Sequence, residues 1–137
     1  MKRFVSYLCC AGVALALLVG PAAAIPPFFN EFKAKYADPD GSDEQKALAE
    51  QIEGMKQMQR CNICHEGKDK KMRNAYGEAL AELLDKKEDK DNKEKIQESL
   101  DKVAEMKVDP EDEKSPTYGD LLKEGKLPVE IKEEAAE

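Results

Sequence analysis

An all-α fold is predicted for this 137-residue chain by three features. Past residue 24 the β-branched residues, which favour strands, number only three Val, five Ile and one Thr. Lys, Glu, Ala, Leu and Gln, which lose little side-chain freedom in a helix, dominate instead. Apolar residues recur at three- and four-residue intervals in segments separated by turn chemistry, and no internal repeat is visible.

Residues 1–24 read as a secretory signal peptide. Lys2-Arg3 precedes an apolar run from Phe4 to Val19, followed by Gly20-Pro21 and the A-x-A pattern of Ala22-Ala23-Ala24. The run is too short, and too soon broken by Gly20 and Pro21, to favour a spanning helix, so cleavage after Ala24 leaves no membrane span. Cys9 and Cys10 depart with this segment, and the mature chain, exported to the periplasm, keeps Cys61 and Cys64 alone. Loss of Lys2 and Arg3 moves the formal charge from −7 to −9 over 113 residues. So acidic a chain lacks the clustered basic face that nucleic acid requires. A single domain is expected over residues 25–130, with an acidic tail at 131–137.

Phe28, Phe29, Phe32 and Tyr36, four of the six mature aromatics, stand at helical spacing behind Pro26-Pro27 and form one apolar face of a first helix. Such a face either walls a bound group, docks a partner or packs on neighbouring helices. Asp38-Pro39-Asp40-Gly41 breaks the chain; its carboxylates do not complete a calcium-loop spacing and read as a solvated turn. Ser42-Asp43-Glu44-Gln45 is a capping box opening a second helix, which runs to about Gln59 with Leu48, Ile52 and Met55 as its stripe. Met55 and Met58 are assigned to core packing.

That helix delivers the chain to Cys61-Asn62-Ile63-Cys64-His65, which gathers the only histidine and both mature cysteines. C-x-x-C-H is the haem-attachment signature. Two thiols at this spacing add to the two vinyl groups of one haem, while the adjacent imidazole reaches the iron. Export agrees with it, because this attachment is completed outside the cytoplasm. C-x-x-C pairs also serve zinc and thiol redox chemistry. A closed zinc site wants four ligands, and here it would need a carboxylate, since past residue 24 there is no Cys beyond this pair and no second His. A thioredoxin-like pair follows a strand in a βαβ pattern, which the downstream sequence lacks. Left unmodified in an oxidising compartment, the pair would tend to close as a disulfide.

Lys68, Lys70, Lys71 and Arg73 make a basic island in the acidic chain, readable as a docking patch for an acidic redox partner or as a solvated loop. A third helix spans Asn74 to Leu84, with Ala79, Leu80, Leu83 and Leu84 apolar. Lys86 to Lys95 is a charge-rich connector. Ile96, Leu100 and Val103 mark a fourth helix, with Met106 at the edge of its face. Ser115 as cap, Pro116 at the first position, Leu121-Leu122, Gly125 as stop and Pro128 beyond it outline a short final helix.

On Cys61–His65 the chain resembles small monohaem c-type cytochromes of class I. Weaker echoes are Asn-x-Tyr-Gly at Asn74–Gly77 and Gly-Lys-Leu-Pro at Gly125–Pro128, and the whole is similar to small exported cytochromes of planctomycete-like bacteria. The resemblance implies a cytochrome c-like helical domain around one covalently bound haem c. Cys61 and Cys64 would carry its thioethers and His65 would be the proximal iron ligand. It also implies a one-electron carrier rather than an enzyme, with redox proteins as partners. The distal ligand departs from the family, whose late Met-Pro is replaced here by Leu127-Pro128. Without a second histidine, bis-histidine ligation within the chain is excluded. Met106, 41 residues past His65, has chain enough to reach the opposite face of a haem. Met72 has only seven residues, about 25 Å when fully extended, for a strained detour. With no methionine bound, the open position would make a haem-based ligand-binding module. Without haem, the pair would make a thiol-disulfide protein.

Overall fold

The computed structural model describes residues 27–67 and 71–131. The segment 1–24, read above as a signal peptide, and all of the predicted acidic tail after Ile131 lie outside the described residues. Six helices follow in order: α1 Pro27–Tyr36, α2 Asp43–Gly54, α3 Gln57–Cys61, α4 Ala75–Leu83, α5 Lys93–Ala104 and α6 Tyr118–Lys123. Among the described residues there are no strands, only two isolated bridges, His65 with Arg73 and Lys107 with Thr117. The predicted all-α class stands. No described helix is long and apolar enough to cross a membrane.

The predicted stripe of the fourth helix places α5 at the centre, where Ile96, Leu100 and Val103 are buried and α1, α4 and α6 pack around them. The aromatic face of α1 turns inward as ordinary packing, with Phe29 and Phe32 in the core and Tyr36 at its margin. The Phe32 ring meets Tyr36 at 5.3 Å and Tyr76 at 6.1 Å between centroids, and Tyr76 meets Tyr118 at 5.1 Å. These edge-on contacts align ring edges with ring faces and each adds about 0.5–1.5 kcal/mol to the burial itself. One aromatic chain thereby links α1, α4 and α6.

The capping box forms as expected: Gln45 N–H donates to Ser42 Oγ at 3.3 Å, and Ser42 N–H donates to Gln45 Oε1 at 3.0 Å. Asp38 turns the preceding loop by accepting the Asp40 N–H at 2.9 Å. The connector before α5 is more organised than its charge suggests. Asp89 is buried, and its Oδ2 accepts from Asp85 N–H at 2.8 Å and Lys95 Nζ at 2.7 Å. Gly125 takes a positive φ of 68° and closes α6, as Lys126 N–H reaches back to Leu121 O and Gly125 N–H to Leu122 O.

Three sequence expectations need correction. The second helix stops at Gly54 instead of continuing to Gln59; Met55 and Lys56 are extended, and α3 starts afresh. The break is stabilised by Arg60, whose guanidinium donates to Ile52 O and Glu53 O, both at 3.0 Å, and by Gln59, whose Oε1 takes the Lys56 N–H at 2.8 Å. The new helix has a different phase, so Met58 is 42% exposed rather than packed, while Met55 does meet the core. The last helix begins two residues later than expected. Thr117 caps it by accepting Asp120 N–H, whereas the Ser115 hydroxyl serves the preceding loop by accepting Asp109 N–H.

Tyr36 donates to Leu100 O at 3.2 Å, tying α1 to α5. Burial, helped by the Asp101 carboxylate, pushes its hydroxyl from 10.0 up to about 12. A raised acid stabilises the fold fully below its unfolded value, and that contribution is lost as pH rises through the folded value. Tyr36→Phe removes one hydrogen bond and should cost about 1 kcal/mol at pH 7. In urea melts at stepped pH, the gap to wild type should narrow between pH 10 and 12.

Candidate functional site

α3 ends at Cys61, and the chain keeps winding through tight turns beyond it. Asn62 N–H donates to Gln59 O at 3.0 Å, Cys64 N–H to Cys61 O at 3.2 Å, and His65 N–H to Cys61 O at 2.9 Å. These bonds set both cysteines and the histidine on one compact turn. Ile63, between the cysteines, is completely buried and anchors this turn in the core. Cys61, Cys64 and His65 remain partly exposed. Both thiols are free, and among the described residues no three His, Cys, Asp or Glu side chains converge as a metal cluster.

Past Gly67, whose φ is 65°, the chain returns so that Arg73 pairs with His65 and Glu66 N–H donates to Met72 O at 3.1 Å. The same Met72 carbonyl lies 3.2 Å from His65 Nδ1. A carbonyl only accepts, so this bond puts the ring proton on Nδ1 and leaves the Nε2 lone pair for a metal. This is how a metal-binding histidine is held by an outer partner that fixes both tautomer and ring orientation. By donor chemistry the residues therefore fit a haem: two thiols three positions apart, and next to them an imidazole with its coordinating nitrogen free.

The turn is backed by the start of α4. Asn74 N–H donates to Cys64 O at 3.3 Å, and its Nδ2 reaches the carbonyls of Asn62, Ile63 and His65 at 2.9, 3.1 and 3.4 Å. Its Oδ1 meanwhile caps α4 by accepting Gly77 N–H at 2.9 Å. Gly77 lies directly against the Cys64 carbonyl, and a Cβ there would overlap that oxygen. The echo noted at Asn74–Gly77 is thus a contact with the cysteine turn itself. Its Tyr76 is wholly buried, and Tyr76 OH and Asn62 Oδ1 are the buried side-chain atoms left without a hydrogen-bond partner among the described residues. Burial, with the neighbouring Cys64, pushes the Tyr76 hydroxyl well up. Burial likewise pushes the Cys64 thiol to about 12, with Cys61 adding to it, so this sulfur is held protonated rather than activated as a thiolate.

The candidate distal ligands fall elsewhere. Met106 is 40% exposed on the connection from α5 to α6, where its N–H donates to Val103 O and its carbonyl accepts Tyr118 N–H. None of these bonds ties it to the cysteine turn. Met72 is 57% exposed, and its backbone is held on the histidine's own ring. Of the basic island, Lys71 and Arg73 are exposed, while Lys68 and Lys70 lie outside the described residues. A cleft of about 710 Å³ opens between the ends of α1, α2, α5 and α6, lined by Lys35, Gln45, Asp101 and Thr117 among others. No residue of Cys61–His65 lines it.

Sequence reasoning missed the Met72 carbonyl, the multiple roles of Asn74 and the helix break that places α3. Asn74 had a visible signal, an Asn three positions before a glycine at a helix start. The Met72 carbonyl had none, because any residue type supplies one. Compared with known proteins, the chain matches no family model, no curated protein and no solved structure.

Gly77→Ala tests the backing of the turn. In an open helix this change stabilises by about 0.5–1 kcal/mol. Here the new methyl meets the Cys64 carbonyl, so urea melts should show a loss of about 1–3 kcal/mol.

Proposed function

We propose that this chain is an exported, acidic, monohaem c-type cytochrome that carries one electron between redox proteins. Cys61 and Cys64 would hold the haem through thioethers, and His65 would bind the iron through Nε2. The observation that carries this reading is the 3.2 Å bond from His65 Nδ1 to Met72 O, which prepares the imidazole for a metal within a Cys-x-x-Cys-His turn. Bound haem c supplies a one-electron Fe(III)/Fe(II) couple. The protein's part is to keep the imidazole in one tautomer and orientation, and to hold the turn firmly through Ile63 and α4.

The thiol-disulfide reading has less support. Activated cysteines sit at helix N-termini, where the dipole favours a thiolate, whereas Cys61 closes the C-terminal end of α3. For the sixth ligand we propose Met106 ahead of Met72. The carbonyl of Met72 is held on the proximal imidazole, and its short side chain would have to pass around the haem edge to reach the other face. The exposed, surface position of Met106 favours a second reading, in which the sixth position is open and binds small ligands. Lys68, Lys70, Lys71 and Arg73, close in sequence to the motif, would steer an acidic redox partner.

Expression in a host that attaches haem c decides the main reading. The secreted protein should gain the mass of one haem and show sharp c-type bands on reduction. A colourless product of bare-chain mass would remove the carrier function. In Met106→Ala the oxidised methionine–iron charge-transfer band should vanish. Absence of that band in wild type, with ready binding of carbon monoxide, would establish the open site instead.

A further inference from the structure

All four backbone carbonyls from Asn62 to His65 are reached by one residue outside the turn, Asn74, three by its side chain and Cys64 O by its main chain. Asn74 Nδ2 points into the space enclosed by Asn62 O, Ile63 O and His65 O, and Asn74 N–H donates to Cys64 O. Asn74 Oδ1 faces the other way and caps α4 through Gly77 N–H. The side chain thus performs two separable tasks. Asp and Ser also cap helices well, so capping alone does not require asparagine here. The inward task does, because an amide nitrogen at this reach can donate to carbonyls and a carboxylate or short hydroxyl cannot.

We propose that Asn74 is the positioning residue of the attachment turn, fixing where both thiols and the imidazole stand before and after haem is joined. The site this serves rests on the haem-attachment reading above. In the joining step each thiol adds across one vinyl group: sulfur bonds the carbon next to the ring, a proton goes to the terminal carbon, and no net oxidation occurs. Both additions require two sulfurs held at a fixed separation on one turn. A turn whose carbonyls are gathered by one amide supplies that separation without help from the haem. Loss of the amide frees the carbonyls of Asn62, Ile63 and His65 at once, while leaving Ile63 buried, α4 capped and the main-chain bond to Cys64 O in place.

Asn74→Ser keeps a helix cap and removes the inward amide, and Asn74→Asp keeps the side-chain shape and the cap oxygen while turning the donor into an acceptor. The full chain made without haem is compared first, by alkylation of Cys61 and Cys64 with iodoacetamide and by melting. Asn74→Ser should melt near wild type, Asn74→Asp should melt lower because its carboxylate faces three carbonyls, and both should alkylate Cys64 at least tenfold faster. Chains made in a host that attaches haem are compared next, by mass and by the pyridine haemochrome band, which separates two thioethers from one. The variants should show a several-fold larger share of single attachment and a shifted reduction potential. Unchanged alkylation in both variants overturns the proposal whatever the haem result. So does faster alkylation that tracks an equal loss of melting temperature in both, since that is loss of structure rather than of positioning. Faster alkylation at wild-type melting, in a protein whose wild type takes up no haem, supports the positioning role of Asn74 and overturns the haem reading alone.

Discussion

The cysteine turn and helix α4 meet backbone against backbone, with the Cys64 carbonyl in the space that a side chain at position 77 would need. Much of the arrangement follows from this approach. It brings Asn74 within reach of the turn's carbonyls, and it fixes the start of α4 so that Tyr76 enters the core beside Phe32 and Tyr118. The aromatic contacts then pass the position of the turn to α1 and α6. Ile63 adds a second anchor from inside the motif. The chemistry-bearing residues are therefore on a loop by location, yet they are held from beneath by packed side chains and from one side by a helix terminus.

Helices were legible where their cause is local. The Ser42–Gln45 box, the α5 stripe of Ile96, Leu100 and Val103, and Gly125 at the end of α6 each act within a few residues, and each stands where the sequence places it. The break at Met55 was hidden because it is stabilised by the side chain of Arg60, which reaches back to carbonyls that a continuous helix would have used. Gly54 was its only local trace. The final cap was misplaced for a related reason: Ser115 and Thr117 are both competent caps, and the bridge from Lys107 to Thr117 selects between them from across the chain.

The donor set of the site was equally legible, since Cys61, Cys64 and His65 are gathered in five residues. What the sequence does not carry is orientation. The partner of His65 is a main-chain oxygen, and the side chain of Met72 that owns it points to solvent. What Met72 brings to the histidine is a main-chain oxygen, an atom every residue has. The same holds for the acidic surface, whose total charge is evident from composition while the buried Asp89 within it is visible only in three dimensions.

The contact between His65 and the Met72 carbonyl limits how the segment that joins them tolerates change. Its Met72 side chain can be exchanged freely as far as the histidine is concerned, because the contact is made by a carbonyl. Its length cannot. One residue more or less between Gly67 and Met72 would present a different carbonyl, at a different height, to the imidazole. Among related chains or engineered variants, this stretch should therefore drift in composition while keeping its residue count, behaving as a ruler rather than as a recognition sequence.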